Sequence, residues 1–394
     1  AERLAAARNW VQDEIRYFAS VMGPHSHAPH APADILARRY GDCKDKTSLL
    51  LHLLDRLGVE AWPALVNSTS GRGLINRLPS PSVFDHVIVA ARLGDRKVFV
   101  DPTLSLQGGV EALSVPSYGY ALEIRPDTTD LTPVTLPDDA VPSTHAVYTY
   151  TSLGDDGAPF HLKIVSTFSG ADAESLRHTL ASTSLEDLQE TYTGFYSSDT
   201  HTVSAHRPID VTDDRDANRV TTVEHYEVTY VDPAGELGFS TLPLLLESDL
   251  GYPGELESRA TPYGLPFPRK RREVIELETS DIVDYSTREA TEDNDYFLFR
   301  ARTEYEPTTI RLIYDLEVRA PEVAPQDLPE YAQAVDRAWS HLGYAFMAKE
   351  ARGFATAAGG PGTQVAVADD RGLLRHERVA EVAPGPVHGL RVLG

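Results

Sequence analysis

The chain contains a single cysteine, Cys43, among 394 residues. A lone thiol serves either as a nucleophile or as a small core residue. Thiol nucleophiles need a neighbouring base, and the base needs a group that orients it. His86, in Val83-Phe84-Asp85-His86-Val87-Ile88-Val89-Ala90, and Asp101, in Arg96-Lys97-Val98-Phe99-Val100-Asp101-Pro102, supply such a pair within sixty residues of Cys43. The chemistry they offer is acyl transfer. His86 takes or holds the thiol proton, and Asp101 fixes the imidazole tautomer and stabilises the imidazolium. A resulting ion pair of this kind lowers a thiol pKa from its usual value of about 8.5. The thiolate attacks an amide or ester carbonyl and leaves a thioester. The oxyanion formed on the way needs donors, of which the Cys43 backbone N–H is one.

These residues must be brought together by elements the sequence announces. Apolar residues recur at helical spacing through Cys43, Thr47, Leu50, Leu51, Leu54 and Leu57. Asp42 is a good N-cap, Asp45 follows as a capping-box acid, and Gly58 closes the helix. Cys43 then lies in the first turn, where free N–H groups and the positive dipole end favour a thiolate. The two β-branched runs flank Arg92-Leu93-Gly94-Asp95 and read as a hairpin. With Leu93 and Gly94 as central turn residues, His86 and Asp101 face each other directly, Cβ atoms about 5 Å apart on one sheet face.

Cysteine on a helix start, then histidine and aspartate on adjacent strands, resembles the transglutaminase-like branch of the papain-type cysteine enzymes. The resemblance extends to Ile15-Arg16-Tyr17-Phe18, Ser26-His27-Ala28-Pro29-His30-Ala31-Pro32, Tyr40-Gly41-Asp42-Cys43-Lys44-Asp45-Lys46, Leu78-Pro79-Ser80-Pro81, Phe84 to Val89 and Val100-Asp101-Pro102-Thr103. It covers residues 1–125 strongly and the remainder loosely. It implies Cys43 as nucleophile, His86 as general base and then acid, and Asp101 as orienter. It also implies a side-chain oxyanion donor on an upstream helix, for which Gln12 is best placed. Further implications are a β-rich companion domain, a protein or peptide substrate, no cofactor or metal, and a periplasmic or secreted location. No signal peptide is visible in this chain.

The expected fold is α+β: a papain/transglutaminase-like core over 1–130, a Pro-rich linker over 131–143, and an antiparallel β-sandwich-like domain with helical insertions over 144–325. Helical pieces are expected near Ala171–Ser182 and Leu185–Tyr196, and a long loop over 247–272 containing Arg269-Lys270-Arg271-Arg272. A helix over 326–352 and a mobile tail over 353–394 complete the reading. Residues 1–110 carry 13 Lys+Arg against 11 Asp+Glu, and the remainder 23 against 48, so the net charge of −23 resides in the later part. That distribution argues against nucleic-acid binding, which needs a basic stripe. No run of about eighteen apolar residues marks a membrane span. Oligomeric state is left open.

Two other functions fit parts of the sequence. His25, His27 and His30 fall within six residues, a spacing that can ligate zinc in a metal hydrolase. Alternatively, the large acidic β-rich portion could make the chain a catalytically inert cell-envelope interaction module. No Gly-x-Ser-x-Gly elbow or phosphate-binding Gly-x-x-x-x-Gly-Lys loop is present.

Overall fold

The computed structural model describes residues 1–19, 24–110, 113–152, 159–198, 201–230, 238–253, 259–278 and 288–347. The fold is α+β, with large antiparallel and mixed sheets. The chain forms two units. The first comprises Ala1–Ser143 together with Phe168–His178 and Asp213–Val220; the second comprises Thr144–Thr167, Thr179–Thr212 and the chain from Thr221.

In the first unit, helices α1 (Glu2–Glu14), α2 (Pro32–Arg38) and α3 (Cys43–Arg56) accompany strands β1 (Arg16–Tyr17), β2 (Tyr40–Gly41), β3 (Ala61–Val66), β4 (His86–Leu93), β5 (Arg96–Val100), β6 (Tyr120–Glu123) and β7 (Thr132–Pro133). The last five form one antiparallel sheet in the order β5-β4-β3-β6-β7. Strand alternation splits its apolar residues between two faces. Val89, Ala91, Val98 and Val100 meet Leu4, Val11, Ile35, Leu49, Leu50 and Leu54 of the three helices. Ile88, Ala90, Phe99, Trp62, Ala64 and Val66 meet Val115, Tyr118 and Ala121 on the other face. Thr47 in α3 donates to the Val87 carbonyl at 3.1 Å, fixing the Cys helix against the hairpin strand.

Several expectations change here. The first helix stops at Glu14, because Arg16 and Tyr17 leave it to pair in parallel with Tyr40 and Gly41, a pairing no local signal in the sequence announces. The stretch 131–143 is not a bare linker: Thr132 and Pro133 pair with Ala121 and Tyr120 at the sheet edge. The β4–β5 turn is centred on Gly94 and Asp95, since Leu93 pairs with Arg96.

The second unit contains β8 (Ser143–Ser152), β9 (Phe160–Ser169), β10 (His201–Asp214), β11 (Arg219–Tyr230), β12 (Gly238–Thr241), β13 (Tyr263–Gly264), β14 (Arg269–Glu278), β15 (Arg288–Asp293), β16 (Phe297–Glu306), β17 (Thr309–Val318), β18 (Glu322–Val323) and β19 (Tyr344–Met347). Helices α4 (Ala171–Ser182), α5 (Leu185–Tyr196), α6 (Leu244–Asp249) and α7 (Leu328–Trp339) interrupt them. Some strand ends and most of α4 belong to the first unit. Instead of a sandwich of two sheets, eight strands form one sheet in the order β10-β11-β9-β8-β14-β17-β16-β15. Leu188 and Tyr192 of α5, Leu246 of α6, and Leu328, Tyr331, Val335 and Ala338 of α7 join its apolar core, giving the cover that a second sheet would give.

The basic run at Arg269 opens β14 rather than lying in a loop. Arg269 and Arg271 pair with Asp249 at 3.0 and 2.7 Å, Arg272 pairs with Asp315 at 3.1 Å, and Lys270 pairs with Glu317 at 3.8 Å. The helix expected over 326–352 ends at Trp339, and the chain then pairs as β19 with β12. The tail expected over 353–394 lies outside the described residues.

Candidate active site

Cys43 is the first residue of α3 and is half-buried. The helix start is pinned from both sides. Asp42 Oδ1 accepts the Asp45 N–H at 3.2 Å, and Asp45 Oδ2 accepts the Asp42 N–H at 3.4 Å, a reciprocal capping box. The Asp45 carboxylate also accepts from the His30 N–H at 2.8 Å and from Arg38 at 2.5 Å. Burial opposes its ionisation, but these donors outweigh burial and hold its pKa below the usual value. Gly41 permits the packing, since a Cβ there would sit 2.6 Å from Asp45 Cβ. Lys46, one turn into α3, is buried, and its ammonium donates to the Ile15 and Gln12 carbonyls at 2.5 and 3.3 Å. It thereby caps the C-terminal end of α1. Burial lowers its pKa to about 8.

His86 begins β4, and Asp101 lies one residue beyond β5. His86 Nε2 and Asp101 Oδ2 are 2.8 Å apart, with side chains only 12% and 1% exposed, so water screens their interaction poorly. The register makes this a diagonal pair. Val89 opposes Val100, which sets Asp101 against Ile88 in the extended ladder. The displacement is an even number of residues, so both side chains stay on the same sheet face.

Asp101 is fully engaged. Its Oδ1 accepts the Thr103 N–H at 2.8 Å and hydroxyl at 2.6 Å, and its Oδ2 accepts the Tyr118 hydroxyl as well as His86. Burial alone would raise its pKa; His86, Thr103 and Tyr118 bring it below the usual value. The Cys43 thiol is near enough to the His86 ring to act on its ionisation. Burial acts to lower the His86 pKa, but the Asp101 carboxylate and the Cys43 thiol raise it to about 10. The carboxylate and the nearby thiol thus both favour a charged imidazole.

No protein-family model and no curated protein matches the chain. Among solved structures, the crystal structure of a "putative protease" from Parabacteroides distasonis aligns at TM-score 0.47 and 9% identity, covering 87% of this chain and 51% of that one. This chain therefore spans about half of that protein's length. Likeness at that level carries no argument, and the chemistry rests on the site itself.

The other candidates occupy different places. Gln12 is buried beside Asp101 but faces its main chain. Its Nε2 donates to the Asp101 carbonyl at 2.7 Å and to Gln107 Oε1 at 2.6 Å, so both amide hydrogens are committed and none remains for an oxyanion. Its role here is a brace. The histidine loop is likewise engaged locally. His30 Nδ1 lies 3.1 Å from Asp45, the His25 ring stacks on His30 with centroids 3.5 Å apart, and His27 bonds to Ser26 at 2.8 Å. Among the described residues, no three His, Cys, Asp or Glu side chains converge as metal ligands.

Residues missed by sequence reasoning are Tyr118 and Thr103, which hold Asp101, and Tyr17, whose ionisation is suppressed by burial and by the nearby Cys43, Asp42 and Asp101. Thr103, two residues after an aspartate that ends a strand, carries a readable turn signal. Tyr118 approaches from 17 residues away, and nothing in its local sequence announces that.

Proposed function

We propose that the chain is a cysteine-dependent acyl-transfer enzyme acting on protein or peptide amides through a thioester, built on a papain/transglutaminase-like core. The observation that carries this reading is the buried 2.8 Å contact between His86 and Asp101, with the thiol of the only cysteine near enough to the imidazole to raise its pKa. A buried structural histidine needs no charge-stabilising carboxylate and no helix-start thiol together; a nucleophile needs both.

In the proposed sequence, the Cys43 thiolate attacks the amide carbonyl while His86 carries the proton. The tetrahedral oxyanion meets the Cys43 N–H, which as the first helical residue has no intrahelical acceptor. His86 then gives its proton to the departing amine as the C–N bond breaks, leaving the thioester. Water or a second amine, deprotonated by His86, attacks the thioester and restores the thiol. Asp101, held by Thr103 and Tyr118, stabilises the imidazolium during both transfers.

The test is iodoacetamide alkylation across pH 5 to 9, wild type beside His86→Ala. Fast alkylation well below the free-thiol range, lost without His86, supports the proposal. An ordinary thiol profile in both proteins favours the inert interaction module. A peptidyl electrophile that acylates the wild type and still acylates Cys43→Ala would also refute it.

A further inference from the structure

Residues 104–109, which follow Asp101, are held by two pieces that return to the first unit from far along the chain. Leu106 is a non-glycine residue at φ +57°, in the left-handed region. Such strain persists only where surrounding contacts fix it. Here Asp13 accepts the Leu106 N–H at 3.0 Å and Arg177 donates to the Leu106 carbonyl at 3.3 Å. Arg215 donates to the Gln107 carbonyl at 2.8 Å, and the Gly109 N–H returns to the Arg215 carbonyl at 2.9 Å. Gly108 allows the approach, since a Cβ there would lie 2.5 Å from the Arg215 carbonyl oxygen.

Inside this clasp runs a buried line of polar groups. Glu174 accepts from Ser114 Oγ at 2.5 Å, Asn218 Nδ2 at 2.8 Å and Gln107 Nε2 at 2.9 Å. Gln107 Oε1 then accepts from Gln12 Nε2, and the same nitrogen donates to the Asp101 carbonyl. All five residues other than Gln12 and Asp101 in this neighbourhood, Gln107, Ser114, Glu174, Arg177 and Asn218, are buried. The direction of the line matters. A carboxylate only accepts, so Glu174 forces the NH2 of Gln107 toward itself. The carbonyl of Gln107 is thereby turned to Gln12, and the NH2 of Gln12 is kept facing both Gln107 and Asp101. With the opposite orientation, Gln12 would present its oxygen to the Asp101 carbonyl.

We propose that Glu174, steadied by Asn218, is a positioning residue of the Cys43–His86–Asp101 site, setting the orientation of two amides in series so that Gln12 clamps the Asp101 main chain. The inference rests on the acyl-transfer reading of that site for its catalytic meaning, but its geometry can be tested apart from turnover.

The experiment compares full-length wild type, Glu174→Gln, and the double variant Glu174→Gln/Gln107→Glu. Glu174→Gln removes the acceptor-only end and lets both amides turn. The double variant places the acceptor-only group at 107, which again takes the Gln12 NH2. Two readouts are followed: the pH titration of the His86 ring by NMR, and the rate of Cys43 alkylation at pH 6.5. The expected result is a lowered His86 titration and an alkylation rate reduced about tenfold in Glu174→Gln, as loss of one buried hydrogen bond would give, with the double variant returning both toward wild type. Rescue by exchanging polarity is something a space-filling role would not produce. If Glu174→Gln does not fold, Gln12→Met, which removes the clamp alone, is expected to shift both readouts in the same direction. A wild-type titration and rate in Glu174→Gln, or in Gln12→Met, overturns the proposal. If His86 responds as expected yet no amide or ester probe acylates the wild type, the relay stands and the acyl-transfer reading falls.

Discussion

Replacing Asp101 by asparagine keeps the side-chain shape and removes the charge that holds His86 protonated. The pKa of His86 is raised to about 10 against its ordinary 6.5. That difference corresponds to about 5 kcal/mol of preference for the imidazolium. At pH 8 it means about 99% imidazolium in the wild type, compared with about 3% at the ordinary value. In Asp101→Asn the stabilising carboxylate is gone while burial, which lowers the pKa, remains. The His86 ring should therefore titrate at or below 6.5. The assay is NMR of the histidine ring nitrogens from pH 5 to 10, with His86→Ala identifying the signal among the 14 histidines. Iodoacetamide alkylation of the sole cysteine runs in parallel, and its rate at pH 7 should drop at least about tenfold as the imidazolium beside the thiol is lost. A wild-type His86 ring that titrates near 6.5, or one that Asp101→Asn leaves unmoved, would refute the reasoning.

Three other outcomes follow from contacts at the site and in the second unit. Tyr118→Phe removes one charge-assisted hydrogen bond to Asp101 and should cost about 2 kcal/mol of stability, read as a lower thermal midpoint, while the ring packing stays. Gly41→Ala drives a methyl against Asp45 and should cost about 1–3 kcal/mol through displacement of the α3 start, with slower Cys43 alkylation as the companion signal. Glu224 is buried, among the described residues it has only Thr222 and Tyr226 as hydrogen-bond donors, and burial raises its pKa to about 7 from 4.5. A carboxyl whose folded pKa exceeds its unfolded one binds its proton in the fold where the unfolded chain has lost it. Its contribution to stability is therefore present below pH 4.5 and lost as pH rises through 7. Glu224→Gln should flatten that decline and gain on the order of 3 kcal/mol at pH 8, checked by thermal unfolding at pH 4.5 and 8.

What the sequence disclosed was local. The α3 start could be read from Asp42, Cys43 and Asp45, because a capping box lies within four residues. The His86–Asp101 proximity was legible because two β-branched runs around a tight turn can pair in few ways. Its register was displaced: the turn centres on Gly94 and Asp95, and the contact holds because the displacement preserves the facing side. Long-range competition was not legible. The end of α1 is set by Arg16 and Tyr17 pairing 24 residues downstream. The single eight-stranded sheet depends on three helices covering it, a choice that strand alternation alone leaves open. The oxyanion assignment to Gln12 failed to register Gln107, whose partner Glu174 lies 67 residues further on.

The discontinuity of the first unit bears on how the protein is made. Chains emerge from the ribosome N-terminus first, at about 5–20 residues per second. The segment through Ser143 carries Cys43, His86 and Asp101, but its unit is complete only after Asp213–Val220 has been synthesised. For several seconds at that rate, the nascent chain holds its thiol, imidazole and carboxylate without Glu174, Arg177 and Arg215 against the loop that follows Asp101. Native contacts over such sequence separations also form late, since loop closure must precede them. Chain order thus acts as a timer: Cys43, His86 and Asp101 are translated early, and the segments that steady the loop beyond Asp101 arrive later.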